Sequence, residues 1–169
     1  MHTTPKKINA QAERLIRELG LEPLSAVWLK LRKVSDFTPE THNCLVNCMV
    51  QQKYHGGDIV FGWVIWQDTT IRFCEAEFHC VWRDLTGGLF DITPRVDGEK
   101  RVCFVPDPQR ASRLDRSVHP PVTRTFGNVH MREDQLMNTV QREDIIFTKD
   151  SLLKHLTEEL EPTPALYRR

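Results

Sequence analysis

The hydrophobic residues nearest the N-terminus recur with a helical period. Between positions 7 and 19, apolar side chains return every three or four residues, at Ile8, Ala12, Leu15, Ile16 and Leu19. Gly20 follows them, and glycine often ends a helix because it tolerates the left-handed conformation. The pattern predicts an amphipathic helix that packs on the main body of the protein. The next apolar segment, residues 26–34, lacks clear periodicity and predicts a helix or an irregular stretch that must still be buried.

A second helix is predicted to end at the glycine pair 56–57, and its start has two candidates. Thr38 could cap the helix with Pro39 at its first position, because proline has no N–H to leave unpaired there. Alternatively, Asn43 caps the helix and Cys44 is its first residue. We favour the second start, which places a cysteine at a helix N-terminus.

Patterns typical of β-strands follow this helix. They combine β-branched and aromatic residues with alternation between two faces, and Gly-containing turns separate them. The four strand-like runs are 58–66, 71–82, 89–93 and 101–105. Four consecutive strands are most easily arranged as an antiparallel meander. On the second run, His79 shares a face with Glu75 and Glu77, whereas Cys80 lies on the opposite face.

The C-terminal third gives weaker signals. Residues 109–142 are polar with little periodicity, which predicts an extended arm or a loop over the sheet. Residues 151–160 predict a final helix with leucines on one face, and the tail after Glu161 is expected to be loose. A chain of 169 residues fits a single domain, here divided into an N-terminal helical segment (1–37), a core (38–106) and the arm with the last helix (107–169).

Composition narrows the classes of function. Lysine plus arginine equals aspartate plus glutamate at 23 each, so no net positive charge favours nucleic acid or an anionic membrane as partner. The sequence has no apolar run long enough to cross a bilayer and no signal-like N-terminus, so we expect a cytoplasmic location. Five cysteines are an odd number, which favours free thiols over a complete disulfide set.

Three residues of the predicted core suggest nucleophilic catalysis. Cys44 stands at the predicted helix start, where unpaired N–H groups favour the thiolate and can stabilise an oxyanion. His79 lies on a predicted strand and Asp91 on the next one, so the base and its orienting carboxylate can be neighbours. A simple hairpin register places His79 opposite residue 94, and a bulge or wide loop would then be needed to bring Asp91 close.

The run from Phe78 to Pro94 resembles the His and Asp signature of transglutaminase-like proteins, within the papain-like cysteine peptidase superfamily. It contains a histidine with aromatic neighbours, a Gly-Gly turn and the sequence Asp-Ile-Thr-Pro. The resemblance covers about residues 38–106. It implies an α+β fold in which a Cys-bearing helix packs on an antiparallel sheet of about four strands, with N- and C-terminal helices flanking it.

The same resemblance implies that Cys44 is the nucleophile, His79 the general base and Asp91 the orienting acid. The expected activity is acyl transfer through a thioester on a protein or peptide amide, as a peptidase, a deamidase or a transglutaminase, without a cofactor or metal. The chain departs from the family at His42 and Thr38, where a glycine and the papain-type oxyanion glutamine would stand. Asn43 and Asn47 are the side-chain candidates for the oxyanion site.

Two alternatives compete with this hypothesis. A zinc site could use four of the soft ligands His42, Cys44, Cys48, His79 and Cys80, although paired Cys-x-x-Cys motifs are absent from the sequence. A non-catalytic binding module could also keep the fold with Cys44 as a buried small residue. Cys48, one turn after Cys44, is expected to be a core neighbour.

Overall fold

The computed structural model describes residues 3–157, and within them the protein has an α+β architecture. The helices are α1 (Ala10–Glu18), α2 (Cys44–His55) and α3 (Asp150–Thr157), with a short 3₁₀ turn at Pro23–Ser25. The strands are β1 (Val27–Lys30), β2 (Asp58–Asp68), β3 (Phe73–Arg83), β4 (Leu89–Phe90), β5 (Arg101–Pro106), β6 (Arg113–Asp115), β7 (Val122–Phe126), β8 (Val129–Arg132), β9 (Gln135–Leu136) and β10 (Arg142–Ile146).

The strands form two antiparallel sheets. The main sheet has the order β1-β5-β2-β3-β8-β9, and β4 also pairs with β3. The small sheet has the order β10-β7-β6. The β2–β3 hairpin is the centre of the main sheet, and its ladder runs from the pair Asp58–Arg83 to the pair Asp68–Phe73.

Both faces of the β2–β3 hairpin are covered. Apolar residues of α1, Leu15 and Ile16 among them, pack over Trp63 and Ala76 on one face. Further along the molecule, α2 and α3 pack with Cys80 and Trp82 in a second cluster. The opposite face carries a third cluster, which includes Val64, Trp66, Val81 and Phe104. This double coverage explains why apolar residues occupy successive positions along β2.

Two helix predictions are confirmed. Helix α1 begins after Asn9, whose side-chain oxygen accepts a hydrogen bond from the Ala12 N–H at 2.8 Å. Helix α2 begins at Cys44, which is the start that we favoured over Pro39. It ends at Gly56, which has a positive φ of 68°. The last helix occupies Asp150–Thr157, so the remainder of the predicted 151–160 helix and the tail after 161 lie outside the described residues.

The meander prediction is wrong. After β4 the chain crosses the molecule, and β5 pairs with β2 on the side away from β3. The segment 26–34, predicted to be helical or irregular, instead forms a strand over residues 27–30, β1, beside β5, and is irregular only at its ends. Trp28 packs in the cluster under α1, whereas Leu29 packs in the cluster around Phe104. Consecutive apolar residues that serve opposite faces of one strand leave no simple period in the sequence.

The prediction of an arm or loop for residues 109–142 is wrong as well. This segment contributes β8 and β9 to the main sheet, and β6 and β7 of the small sheet. Cross-strand charge pairs take the place of apolar alternation there: Arg124 on β7 binds Asp115 on β6 at 3.0 Å and Asp144 on β10 at 2.8 Å. A strand that is held by ion pairs lacks the hydrophobic pattern on which sequence prediction relies.

No helix in the described range 3–157 is long and apolar enough to cross a membrane.

Gly62 is a position where only a hydrogen fits. It pairs with His79 on one side and Pro106 on the other, and a Cβ there would collide with the Val105 carbonyl oxygen and lie 2.6 Å from the Phe104 ring. We expect Gly62→Ala to lower the free energy of unfolding by about 3 kcal/mol, because both strands must shift. Urea denaturation measures the loss, and the slope of the free energy of unfolding against urea concentration should not change.

Gly98→Ala is the matched control, since Gly98 has a positive φ of 78° but open space around its Cα. Only the backbone conformation is strained there, and the loss should be about 1 kcal/mol. Equal losses for the two variants would contradict the close-packing argument.

Candidate active site

Cys44 is the first residue of α2, and its half-buried side chain borders a cleft. The preceding residue, Asn43, does not cap the helix, because its side-chain amide donates instead to the Thr41 carbonyl oxygen at 2.8 Å. The N–H groups of the first helical turn therefore keep their capacity to bind an anion. Cys44, Leu45 and Val46 all line the cleft, so this anion site opens onto it.

The start of α2 lies against a gap in the edge of β3. On this edge β3 pairs with β8 through residues 73–76 and with β4 through residues 82–83. Within the described residues no strand pairs with the stretch 77–81 between them. The backbone N–H of Cys80 hydrogen-bonds to the sulfur of Cys44, and the Cys80 carbonyl accepts the Cys48 thiol at 3.8 Å. Two cysteines one helical turn apart thus satisfy the open edge.

The structure brings together His79 and Asp91. His79 Nε2 lies 3.2 Å from Asp91 Oδ1, and the side chains are only 4% and 1% exposed. The Cys44 thiol and the imidazole line the same cleft and interact electrostatically. Because Nε2 faces the carboxylate, Nδ1 is the ring nitrogen left for the sulfur. Cys44, His79 and Asp91 therefore form one row, which a hydrogen bond joins at His79 and Asp91.

The register explains how Asp91 reaches the histidine. Trp82 pairs with Phe90 and Arg83 with Leu89, so the extended register sets Asp91 opposite Val81 and on the face of His79. The predicted register was wrong by one residue. It would have put Asp91 on the face of the sheet opposite to His79. In the structure His79 and Asp91 are diagonal neighbours and need no bulge. After Phe90 the Asp91 backbone leaves β3, and its carbonyl accepts the Arg32 N–H at 2.7 Å.

Arg95 supports the carboxylate from the other side, and the sequence analysis missed it. Its guanidinium lies 3.4 Å from Asp91 Oδ2 and 3.3 Å from Glu77 Oε2, and it stacks 4.5 Å above the Trp66 ring. The Trp66 indole N–H also donates to Glu77 at 2.7 Å. A surface-type arginine in the loop after a short strand gives no sequence signal for such a role. Only the fold shows that this loop turns back under the site.

Asn47 was a candidate for the oxyanion site, but its side chain is used in a structural contact instead. It is fully buried, its amide N–H groups donate to the Glu40 carbonyl at 2.8 Å and Thr93 Oγ1 at 3.2 Å, and its oxygen accepts the Glu40 N–H at 3.0 Å. With these bonds it ties the loop before α2 to the helix and to the Asp91 loop. Asn43, by contrast, lines the cleft.

Electrostatics within the row favour charge separation. Hydrogen bonds from the Cys80 thiol and the charge of His79 outweigh burial and hold the pKa of Cys44 well below the usual thiol value. Burial alone would lower the pKa of His79, but the charges of Asp91 and Cys44 raise it well above its usual value. The pKa of Asp91 stays low despite burial, through His79, the Thr93 N–H and Arg95. The arrangement favours a thiolate–imidazolium pair beside a charged aspartate.

The cleft has a volume of 510 Å³ and lies between the two sheets. One wall is the β3 face that carries His79, together with Trp66 and the loop 93–97. The other wall is the small sheet, and the start of α2 closes one end. Its size is that of an ordinary ligand pocket. The wall residues from the small sheet and its flanks are Ser112, Thr123, Thr125, Phe126, Glu143, Ile145, Ile146 and Phe147.

The residues of the alternative zinc site are not arranged as metal ligands within the described part of the chain. In the described part of the chain, no group of three or more His, Cys, Asp or Glu side chains is arranged to hold a metal ion. The Cys48 thiol is buried and bonded to a backbone carbonyl. His42 instead lines the cleft before α2.

Comparisons with models of protein families, with curated proteins and with solved structures found no match. The chemistry of the site is therefore inferred from its own residues and geometry.

We expect the Cys44 thiol to react at a pH at which ordinary thiols do not. Its alkylation by iodoacetamide should have a pH midpoint well below the usual value of 9.0, because the imidazolium and the Cys80 donors favour the thiolate. His79→Ala should raise that midpoint. Cys74 and Cys103 are internal controls, because burial raises the pKa of each to about 12. Peptide mapping by mass spectrometry gives the rate at each thiol, and equal rates at all of them would contradict the geometry.

The buried Asp91 carboxylate should make the free energy of unfolding depend on pH in the acidic range. Its pKa is lowered in the folded state, so its contribution is present above the unfolded value of about 3.9 and is lost as the pH falls through the lower folded value. Asp91→Asn should lower the free energy of unfolding by about 3 kcal/mol at pH 7. The deficit should shrink on acidification below about pH 4, measured by denaturant titration at each pH.

Asp58→Asn is the control for this stability measurement, since Asp58 forms an exposed pair with Arg83 at 2.9 Å. Its loss should stay within about 0.5 kcal/mol at every pH. A deficit of Asp91→Asn that does not change with pH would show that the carboxylate charge is not the stabilising element.

Proposed function

We propose that the protein is a thiol-dependent acyl-transfer enzyme with a transglutaminase-like or papain-like core, and that it acts on amides of proteins or peptides. The observation that carries the proposal is the buried His79 ring, which contacts Asp91 on one side and the Cys44 thiol on the other. The chain order Cys, His, Asp and the packing of the Cys-bearing α2 on an antiparallel sheet support the same core. A structural cysteine has no need of an imidazole that is held by a buried carboxylate.

The first half of the reaction forms a thioester. The Cys44 thiolate attacks the amide carbonyl carbon, a C–S bond forms, and the carbonyl electron pair moves to oxygen. As the oxyanion collapses, the C–N bond breaks and the His79 imidazolium gives its proton to the departing nitrogen. Ammonia leaves if the amide is a glutamine side chain, and an amine leaves if it is a peptide bond. Asp91 holds the ring in the tautomer that this transfer needs.

The oxyanion is assigned to the start of α2. The first three residues of that helix line the cleft, and their N–H groups have no side-chain cap from Asn43. Together with the helix dipole they offer donors at the position where negative charge develops. Asn43 lines the same cleft and is the better side-chain donor of the two candidates, because only one of its two amide N–H groups is engaged, with the Thr41 carbonyl, whereas Asn47 donates to both Glu40 and Thr93.

The second half of the reaction removes the acyl group from Cys44. Neutral His79 takes a proton from the incoming nucleophile, which attacks the thioester and releases the thiolate. Water as the nucleophile gives a peptidase or a deamidase, and a primary amine gives a transglutaminase. The three outcomes share every residue of the row and differ only in what enters the cleft.

The test uses the neutral dipeptide amide benzyloxycarbonyl-Gln-Gly-NH2 and dimethylcasein, with and without hydroxylamine. Release of ammonia, formation of hydroxamate and appearance of new peptides report deamidation, transamidation and hydrolysis. Cys44→Ala should abolish all three, and Asp91→Asn should lower the rate roughly 10²–10⁴-fold through loss of the correct tautomer. The rate should rise with pH through the lowered pKa of Cys44 and fall through the raised pKa of His79, because thiolate and imidazolium are both required.

Cys103→Ala is the matched thiol control, since Cys103 is buried in the cluster beneath α1. It should keep the activity. No covalent acyl adduct on Cys44 by intact mass, together with ordinary alkylation behaviour of its thiol, would reject the enzyme and leave a binding module on the same fold.

A further inference from the structure

The cleft beside Cys44 carries an excess of negative charge. Four carboxylate side chains line it, against the single guanidinium of Arg95, and they are Glu75, Glu77, Asp97 and Glu143. Arg95 is already engaged with Glu77, Asp97 and the buried Asp91. The thiolate of Cys44 and the imidazolium of His79 cancel each other, so the reacting pair does not reverse the sign of the cleft.

The carboxylates come from both walls. Glu75 and Glu77 lie on the β3 face, four and two residues before His79, and Asp97 belongs to the loop that follows Asp91. Glu143 stands across the cleft on β10 and is exposed. A narrow cleft that is lined by one sign of charge focuses its field and raises the local concentration of oppositely charged ligands. A cationic group is attracted wherever it enters along these walls.

A second, independent feature points to a polypeptide as the ligand. Within the described residues, strand β10 is an outer strand of the small sheet and pairs with β7 alone. Its residues Ile145 and Ile146 border the cleft while 51% and 61% exposed. An edge strand with exposed apolar side chains offers both hydrogen-bonding groups and apolar contacts to an extended chain. A small cation alone would use neither.

We infer that the cleft selects basic peptide segments, so that the amide presented to Cys44 is flanked by lysine or arginine side chains. This inference rests on the proposed function and names the substrate class of the same site. The acidic walls attract the basic side chains, and β10 contacts the extended backbone. An anionic peptide is repelled from both walls.

The experiment measures the effect of the cleft's charge on the reactivity of Cys44 and does not require enzymatic activity. Two methanethiosulfonate reagents of similar size, the cationic trimethylammonioethyl and the anionic sulfonatoethyl compound, modify Cys44 in the full chain. The cationic reagent should react about tenfold or more faster at low ionic strength, and the ratio should fall towards one in 0.5 M salt. Glu143→Gln should lower the ratio about twofold.

Asp144→Asn is the matched control, because Asp144 is the neighbour of Glu143 on β10 but pairs with Arg124 and does not line the cleft. It should leave the reagent ratio unchanged. A cation-to-anion ratio near one in the wild type, or an equal effect of the two variants, would overturn the inference.

Protection of Cys44 from iodoacetamide tests the peptide itself. Three peptides with the frame acetyl-Gly-X-Gln-Gly-X-Gly-amide, where X is lysine, alanine or glutamate, are compared at equal concentration. The lysine peptide should slow alkylation most and the glutamate peptide least. Equal protection by all three overturns the inference even if the enzyme processes neutral amides. Selective protection by the lysine peptide without any acyl transfer would instead reject the proposed function and keep the binding preference.

Discussion

The backbone of Cys80 is the constraint on which the rest of the site depends. Between β8 and β4, the edge of β3 leaves peptide groups that no strand of the described chain pairs with, and a buried unpaired peptide group is costly. Helix α2 satisfies them with sulfur atoms, Cys44 at the N–H and Cys48 at the carbonyl. The thiol at the helix start is therefore anchored by the sheet, and its distance from the His79 strand is fixed by the same contact. The Cys44 thiol and the His79 ring, the proposed nucleophile and base, thus share one structural origin.

The second organising element is the buried charge row His79–Asp91–Arg95. Each member would be unstable in this environment alone, because an isolated buried charge is strongly disfavoured. Asp91 is stabilised by partners on both oxygens, and Arg95 is further held by Glu77 and the Trp66 ring. The loop 93–97 is thereby locked under the sheet, which also shapes one wall of the cleft. The position of the His79 ring and the shape of the cleft wall are two results of the same ionic contacts.

Sequence reasoning succeeded where local physics decides. The helical period before Gly20 and the central hairpin follow from propensity and alternation, and α2 starts at Cys44 as predicted although Asn43 does not form the expected side-chain cap. It failed where tertiary context decides. The path of β5 to the far side of β2 and the ion-paired small sheet leave no periodic pattern. The three candidate catalytic residues were found through their spacing and family resemblance, whereas Arg95 could not be found, because its role exists only after the loop has folded.

The two walls of the cleft come from different parts of the fold. Cys44, His79 and Asp91 stand on α2, on β3 and directly after β4, whereas the opposite wall is formed by the small sheet and its flanks, across which Arg124 pairs with Asp115 and Asp144. Substitutions in β7 or β10 can therefore remodel what that wall presents while the reacting row keeps its geometry. Descendants of this fold could diversify their ligands through one sheet and inherit their chemistry through the other.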